Sequence, residues 1–381
     1  MKGLMSLLLS VTLTLSPLTA AGYAARDEDI SIAAPCAVLM EKETGAVLYE
    51  KSAHERRPFA SVTKIMTLLL ITEDIESGKL SETDTVTASA RAASFGGSCI
   101  YLEEGEQLSV SDMLKCICVV SANDCAVAMA EHVSGNEETF VKRMNQRAAE
   151  LGLEDTHFTN CTGLFEDGEH YSSAYDIALM SRELIRHELI KKYTTIWMDS
   201  IRGGAFELSN TNKLVYWYNG CTGLKTGYTS KAMYCLSATA ERDGVEYIAV
   251  ILGGDSINSR NNDAKTLLNY GFANFTVLDI DRDISLPEIA VEFGKDENAA
   301  LVLSPHERFA LVPKGVSSAE YSLSLPESVC APLEAGTQVG ELHVGINGSE
   351  LCNIPVCTAG AVESLGFGGL FTYIAKSLIG L

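Results

Sequence analysis

The sequence is poor in positive charge. It holds 29 lysine and arginine residues against 50 aspartate and glutamate residues, so its formal net charge is −21 at pH 7. A nucleic-acid-binding protein needs cations to neutralise phosphates, and a protein held on anionic lipid by charge alone needs them too. The composition therefore argues against nucleic acid as a partner and against purely electrostatic docking on a membrane.

Metal-ligand patterns are missing as well. The chain has no C-x-x-C pair, and its seven histidines show no metal-ligand spacing. We therefore expect neither a metal nor a cofactor.

The cysteines do not read as a disulfide framework. There are eleven, and an odd number leaves at least one thiol unpaired. Cys116, Cys118, Cys125 and Cys235 lie in apolar helix or strand patterns, where cysteine behaves as a small hydrophobe. We predict that most of the cysteines are reduced core residues. Cys221 precedes Lys225 by four positions and could lie near a cleft, although a simple packing role is the favoured interpretation.

The N-terminus carries an export pattern. An apolar stretch over residues 4–15 follows Lys2, and small residues stand at Ala20, Gly22 and Ala24. This arrangement is typical of a secretory signal peptide, which we predict over residues 1–24, with an uncleaved anchor as the alternative. The protein is then expected at the extracytoplasmic face of the cell membrane.

Ser61 and Lys64 stand at the start of a predicted helix, because Pro58 precedes them and an apolar run over residues 65–71 follows. At positions i and i+3 they share one helix face, about 5 to 6 Å apart at Cβ. A serine becomes nucleophilic when a base takes its proton, and a lysine is such a base only if its pKa is lowered. The apolar surroundings of Lys64 fit that role, while a helix cap beside a solvated lysine is the plain alternative.

Ser121 and Asn123 lie between two helical stretches, residues 112–120 and 125–133. A corner between helices can aim a hydroxyl and an amide into a cleft, although an ordinary N-cap has the same pattern.

Lys225, Thr226 and Gly227 precede a predicted hairpin that comprises residues 233–240 and 246–252, with a turn at Asp243-Gly244. At a strand edge, the lysine and threonine would offer a charge and a hydroxyl to a substrate carboxylate. The glycine would let a ligand backbone approach, as in peptide binding by strand addition. Alone, this triplet is a common turn sequence.

Taken together and in this order, the three motifs resemble those of penicillin-binding proteins and serine β-lactamases. The flanking text is similar to the low-molecular-weight D-alanyl-D-alanine carboxypeptidases (DacF/PBP5-like, peptidase family S11). That similarity lies in Thr44-Gly45, residues 58–67, residues 144–164, residues 222–229 and Ser259-Arg260, and it covers about residues 34 to 275.

The resemblance implies an acyl-enzyme mechanism. Ser61 would attack the penultimate D-alanine carbonyl of a peptidoglycan stem pentapeptide and release the terminal D-alanine. Lys64 would be the base, and the oxyanion would meet the backbone N–H groups of Ser61 and Tyr228. β-Lactams would acylate Ser61. The implied catalytic residues are Ser61, Lys64, Ser121 and Asn123, and the implied substrate-binding residues are Lys225, Thr226, Gly227, Tyr228 and Arg260.

Three positions depart from the commonest family pattern, namely Phe59, Ala122 and Asn261, and none removes a reacting group.

Two other functions remain open. A serine β-lactamase commonly uses a Glu-x-x-x-Asn loop, yet between Ser121 and Lys225 no glutamate is followed four residues later by asparagine. A silent penicillin-binding scaffold is the other alternative, although all the reacting side chains are present.

The implied fold class is α/β (α+β) and β-lactamase/transpeptidase-like, with an antiparallel sheet flanked by helices and an all-helical lobe, over residues 25–277. Short alternating runs predict a small β-rich domain over residues 278–358.

Residues 359–381 place Phe367, Leu370, Phe371, Ile374 and Leu378 on one side of a helix. We expect an amphipathic helix at the membrane surface, since the apolar run is too short to span; docking on the β-rich domain is the alternative.

Overall fold

The structure is a computed structural model that describes residues 30–164, 168–280, 284–304, 309–316, 319–346, 349–371 and 373. The predicted signal peptide lies outside the described residues. The helices are α1 Lys64–Glu76, α2 Ala90–Ala93, α3 Val110–Val119, α4 Asn123–Ser134, α5 Glu137–Glu150, α6 Ala174–Arg186, α7 Glu188–Thr194, α8 Leu214–Trp217 and α9 Ile257–Asn274. Two 3₁₀ turns cover Ala60–Thr63 and Arg202–Gly204.

The strands of the first part of the chain are β1 Cys36–Glu41, β2 Val47–Lys51, β3 Thr85–Thr87, β4 Gln107–Ser109, β5 Met198–Ile201, β6 Phe206–Ser209, β7 Cys221–Thr229, β8 Met233–Arg242 and β9 Val245–Gly254. Those that follow α9 are β10 Phe275–Asp279, β11 Ile289–Glu292, β12 Asn298–Ala299, β13 Leu301–Leu303, β14 Phe309–Pro313, β15 Glu320–Ser324, β16 Ser328–Cys330, β17 Gln338–Ile346 and β18 Ser349–Thr358.

The main sheet has five antiparallel strands in the order β2-β1-β9-β8-β7. The predicted hairpin is confirmed, because β8 and β9 pair across Asp243 and Gly244, whose φ angles are +52° and +79°. Positive φ at both central residues is what a tight hairpin turn requires. β7 lies at the edge of the sheet and pairs with β8 alone among the described strands.

Both faces of the sheet are covered. Side chains 247, 249 and 251 of β9 pack in a core with Leu267 and Leu268 of α9. Side chains 248, 250 and 252 pack in the opposite core with the helices that include α1, α3, α4 and α6. The period of two along the strand explains the division between cores. The predicted fold class is confirmed.

The helical lobe is built from short helices with clear starts. Ser109, Asn136 and Ser173 each accept a backbone N–H at the N-terminus of α3, α5 and α6 respectively. Such caps satisfy N–H groups that have no partner inside the helix. The corner between α3 and α4 holds Ser121, as the sequence predicts.

A separate β-rich unit follows α9. It contains a four-stranded sheet in the order β13-β18-β17-β15, a three-stranded sheet and the pair β10-β14. Its own core includes Val312, Leu342, Val344 and Ile354. Strand pairing in this unit begins at Phe275, directly after α9. This is slightly earlier than residue 278, the predicted start of the β-rich domain.

The end of the chain is partly described. Residues 367–371 are helical, and the side chains of Phe367 and Phe371 are 92% and 73% exposed. Ile374 and Leu378 lie outside the described residues. Within the described ranges, no helix is long and apolar enough to cross a membrane.

All eleven cysteines lie in the described ranges, and none of them forms a disulfide bond there. Seven are buried, which confirms their predicted place in the core. Cys221 is half-buried, its Sγ donates to the Gly223 carbonyl at 3.3 Å, and burial raises the pKa of its thiol to about 12. Because thiolates are the reactive form, the packing interpretation of Cys221 holds.

The entry of the chain into β1 depends on one carboxylate. Asp263 of α9 accepts the backbone N–H groups of Ala34 at 2.9 Å and Ala33 at 3.2 Å. We predict that Asp263→Ala lowers the free energy of unfolding by about 1–3 kcal/mol, because a buried donor loses its partner. Chemical denaturation measures this, with exposed Asp255→Ala as the control. Equal stability of the two variants would contradict the prediction.

Candidate active site

Ser61 lies in the 3₁₀ turn that leads into α1, and this turn packs directly against β7. A Cβ atom placed on Gly227 would lie 2.8 Å from the Phe59 carbonyl oxygen and 3.1 Å from the Ser61 nitrogen. The sequence interpretation assigned this glycine to the approach of a ligand backbone. In the structure, the close approach is to the protein's own serine turn, so Gly227 brings the edge strand beside Ser61.

Lys64 is fully buried beneath Ser61. Its Nζ lies 2.9 Å from Ser61 Oγ, 2.6 Å from Asn123 Oδ1 and 2.9 Å from the Thr162 carbonyl oxygen. Burial lowers the pKa of Lys64 to about 7. A buried ammonium loses its hydration, so the neutral amine is populated near neutral pH.

These three contacts suit a neutral amine. Asn123 Nδ2 donates to the Gly96 carbonyl at 2.8 Å, which directs Oδ1 toward Lys64 as an acceptor. The Thr162 carbonyl is also only an acceptor, so the two N–H groups of a neutral amine satisfy these partners. The nitrogen lone pair is then left for the Ser61 hydroxyl, which can donate.

Ser121 adopts a left-handed backbone conformation, with φ +63°, at the corner between α3 and α4. Its side chain is buried, and its Oγ has no hydrogen-bond partner among the residues that the structure describes. A buried hydroxyl without a partner costs free energy, and so does positive φ outside glycine. Both features are typical of functional sites.

Two more cations are buried near Lys64. Lys225 of β7 is 1% exposed and Arg260 of α9 is 4% exposed. Burial, together with the charges of Lys64 and Arg260, lowers the pKa of Lys225, and burial lowers that of Arg260 to about 10. The buried positive charge of Lys225 and Arg260, inside an acidic protein, creates a local demand for an anion.

The remaining predicted binding residues lie on or beside the edge strand. Thr226 Oγ1 donates to Thr211 Oγ1 at 2.9 Å, and its single proton reaches a carboxylate only when the hydroxyl turns away from Thr211. Tyr228 is 56% exposed, and its ring centroid lies 4.4 Å from that of Tyr234. Asn261, one of the departures from the family pattern, accepts from Arg260 Nε at 3.3 Å and so helps to orient the guanidinium.

Sequence reasoning missed a buried chain of hydrogen bonds below the serine turn. The Thr159 N–H donates to His170 Nδ1 at 3.1 Å, and His170 Nε2 lies 2.7 Å from Thr63 Oγ1. Thr63 Oγ1 in turn donates to the Ala60 carbonyl at 2.7 Å. Because Nδ1 accepts, Nε2 carries the proton and donates to Thr63. This chain of hydrogen bonds stabilises the backbone of Ala60, whose φ is +49°.

Phe59 and Gly163 complete this support. The Phe59 ring stacks on His170, with centroids 4.9 Å apart and planes 10° apart. A Cβ on Gly163 would lie 1.9 Å from the Ala60 carbonyl oxygen. The Thr162-Gly163 segment belongs to the resemblance, but only the folded chain shows that it contacts both Lys64 and the serine turn. The departure at Phe59 therefore has a packing role.

One group of side chains has ligating atoms within 4.8 Å of one another, namely Glu73, Glu183 and His187. Arg147 Nη2 lies 2.8 Å from a carboxylate oxygen of both glutamates. An ion pair with Arg147 therefore explains the cluster, and it lies outside the serine cleft.

Comparison with known proteins agrees with this geometry. A sequence profile of the D-alanyl-D-alanine carboxypeptidase family matches residues 23–256. D-alanyl-D-alanine carboxypeptidase DacF of Bacillus subtilis is 39% identical over 360 residues, which cover 93% of this chain and 91% of the relative. The crystal structure of penicillin-binding protein 5 from Haemophilus influenzae superposes with a TM-score of 0.78 at 30% identity, covering 88% of this chain and 98% of that one. Penicillin-binding protein D2 from Listeria monocytogenes, solved in an ampicillin-bound form, gives a TM-score of 0.58 at 31% identity, covering 64% of this chain and 98% of that one.

We predict that Gly163→Ala is strongly destabilising, because its Cβ would overlap the Ala60 carbonyl and displace the turn that holds Ser61. Overpacking of this kind costs about 1–3 kcal/mol, in addition to the cost of positive φ. Gly152→Ala is the matched control, since Gly152 has nearly the same φ, +71° against +72°, with nothing within 4 Å of its Cβ. Thermal unfolding compares the two variants. If both lose the same stability, the contact with Ala60 has no role.

Proposed function

The chain belongs to the D-alanyl-D-alanine carboxypeptidase family, and on that premise we propose that Ser61 is its nucleophile. Family membership makes the protein a serine-type carboxypeptidase of cell-wall metabolism whose substrate is peptidoglycan and which binds β-lactams. The observation that carries the assignment of Ser61 is its 2.9 Å contact with a buried lysine whose other partners are acceptors.

In acylation, Ser61 Oγ attacks the carbonyl carbon of the penultimate D-alanine, and its proton passes to Lys64 Nζ. The oxyanion is stabilised by the backbone N–H groups of Ser61 and Tyr228. The Ser61 N–H stands at the start of a 3₁₀ turn, where no acceptor inside the turn exists. The tetrahedral intermediate then expels D-alanine, whose amine takes the proton back through Lys64 or Ser121.

Lys225, Thr226 and Arg260 bind the terminal carboxylate of the substrate. The buried side chains of Lys225 and Arg260 repel each other when both are charged in the free protein, and a bound carboxylate replaces that repulsion with attraction. Gly227 keeps the edge strand against the serine turn, so that the substrate strand adds beside β7 with its carbonyl over Ser61. Asn123 holds the substrate amide and fixes Lys64 through Oδ1. A water molecule then hydrolyses the acyl-enzyme, which regenerates Ser61.

We also propose the setting in which this happens. The N-terminal pattern supports export through a signal peptide over residues 1–24. The two exposed phenylalanines of the helical turn 367–371 support attachment of the segment 359–381 to the membrane surface. The catalytic domain then comprises residues 25–277 and the β-rich unit residues 278–358.

The direct test is D-alanine release from diacetyl-L-lysyl-D-alanyl-D-alanine. We expect Ser61→Ala to lower the rate at least about a thousandfold, because the nucleophile is lost. The surface change Ser322→Ala serves as the control. Unchanged release by the Ser61 variant would overturn the assignment, whereas rapid turnover of benzylpenicillin without D-alanine release would favour a β-lactamase.

The pKa of Lys64 predicts the pH dependence of acylation. Only the neutral amine accepts the Ser61 proton, so the acylation rate should fall about tenfold per pH unit below a pKa of about 7 and level off above it. The measurement is the second-order rate of acylation by a fluorescent penicillin. Asn123→Asp places a negative charge beside Nζ, which raises the pKa of Lys64. The pH range in which the acylation rate falls should therefore move to higher pH. If that pH range does not move, Lys64 is not the titrating base.

A further inference from the structure

A second pocket lies beside the serine turn and plays no part in the steps above. It has a volume of about 200 Å³, and its lining includes three cationic side chains, Arg56, Arg57 and Lys231, together with His170 and Tyr171. Arg57 precedes Ser61 by four residues, and His170 contacts Thr63 within the serine turn. The pocket is therefore next to the turn that holds Ser61.

The direction of β7 shows which part of the substrate comes near this pocket. The terminal carboxylate is bound at Thr226 and the attacked carbonyl at the Tyr228 N–H. The substrate residues that precede the attacked carbonyl therefore continue along the strand toward its end at Thr229. Lys231 lies two residues beyond that end, in the turn that joins β7 to β8. The pocket is on the side of the cleft that receives the upstream part of the stem peptide.

The two arginines are held in place and keep hydrogen-bonding capacity. Arg56 donates through Nε to Asp155 and through Nη2 to the Glu154 carbonyl, each at 3.0 Å, and Arg57 donates through Nη1 to Glu55 at 2.7 Å. Arg56 also stacks over the Tyr171 ring, with its guanidinium carbon 5.2 Å from the ring centroid. Each guanidinium has five N–H donors, so these partners do not saturate it. These contacts fix the orientation that a planar anion would meet.

We propose that this pocket binds a carboxylate of the stem peptide that lies upstream of the D-alanyl-D-alanine end. The inference rests on the proposed function and extends it to the substrate class, which is an acidic stem rather than a neutral one. Two carboxylates of a diaminopimelate-type stem have this chemistry. One is the α-carboxylate of the γ-linked D-glutamate, and the other is the free carboxylate of the diaminopimelate side chain.

Four synthetic pentapeptides test the proposal, L-Ala-γ-D-Glu-meso-diaminopimelate-D-Ala-D-Ala and its forms amidated at the glutamate, at the diaminopimelate or at both. We expect the unamidated peptide to exceed the doubly amidated one in kcat/KM by about three- to tenfold, mainly through KM. The singly amidated peptides identify which carboxylate is bound. Raising the salt concentration should reduce the preference.

The variants Lys231→Gln and Arg57→Gln should lose this preference while their acylation by a fluorescent penicillin stays within about twofold of the wild type. Lys142→Gln is the matched control, because Lys142 is a surface cation of α5 that pairs with Glu138 at 2.8 Å. Equal kcat/KM for all four peptides, or an equal loss for acidic and amidated peptides in the variants, would overturn the pocket assignment. If the wild type releases D-alanine from none of them, the proposed function itself fails, so the two failures are distinguishable.

Discussion

The proposed active site depends on the burial of a single lysine. Lys64 has no contact with water, and its Nζ is held between Ser61, Asn123 and the Thr162 carbonyl. In water this side chain would be charged and could not accept a proton at neutral pH. Burial removes the hydration that stabilises the charge, and the polar partners keep the nitrogen in hydrogen-bonding position. The same environment that is costly for an ammonium thus suits Lys64 to the role of base that we propose for it.

The rest of the fold supplies the walls of this environment. The serine turn comes from the start of α1, the amide from the start of α4, and the carbonyl from a loop that follows α5. β7 closes the opposite side, and the contact of Gly227 with the serine turn sets its distance. The left-handed backbone conformations of Ala60 and Ser121 cost free energy. Packing elsewhere offsets this cost, because the sheet is buried on both faces.

Sequence reasoning reached the motifs and the hairpin because both depend on residues close together in the chain. Ser61 and Lys64 share a turn, and Asp243-Gly244 determines the pairing of β8 with β9. The hydrogen-bond chain from Thr159 through His170 to Thr63 joins segments about a hundred residues apart, so no local pattern reveals it. Gly227 was assigned to ligand approach for the same reason, since its neighbour Phe59 is distant in sequence. The cationic pocket likewise combines residues 56–57 with residue 231, which only the folded chain brings together.

The most direct test of this account is the titration of Lys64 itself. Lysine labelled with ¹³C at Cε reports the charge of each amine by NMR, and the Lys64 signal is assigned by its loss in Lys64→Arg. The account predicts a midpoint near pH 7, well below the value of a lysine side chain in water. A Lys64 midpoint near that of a lysine in water would contradict it, because the amine would then be charged when Ser61 must lose its proton.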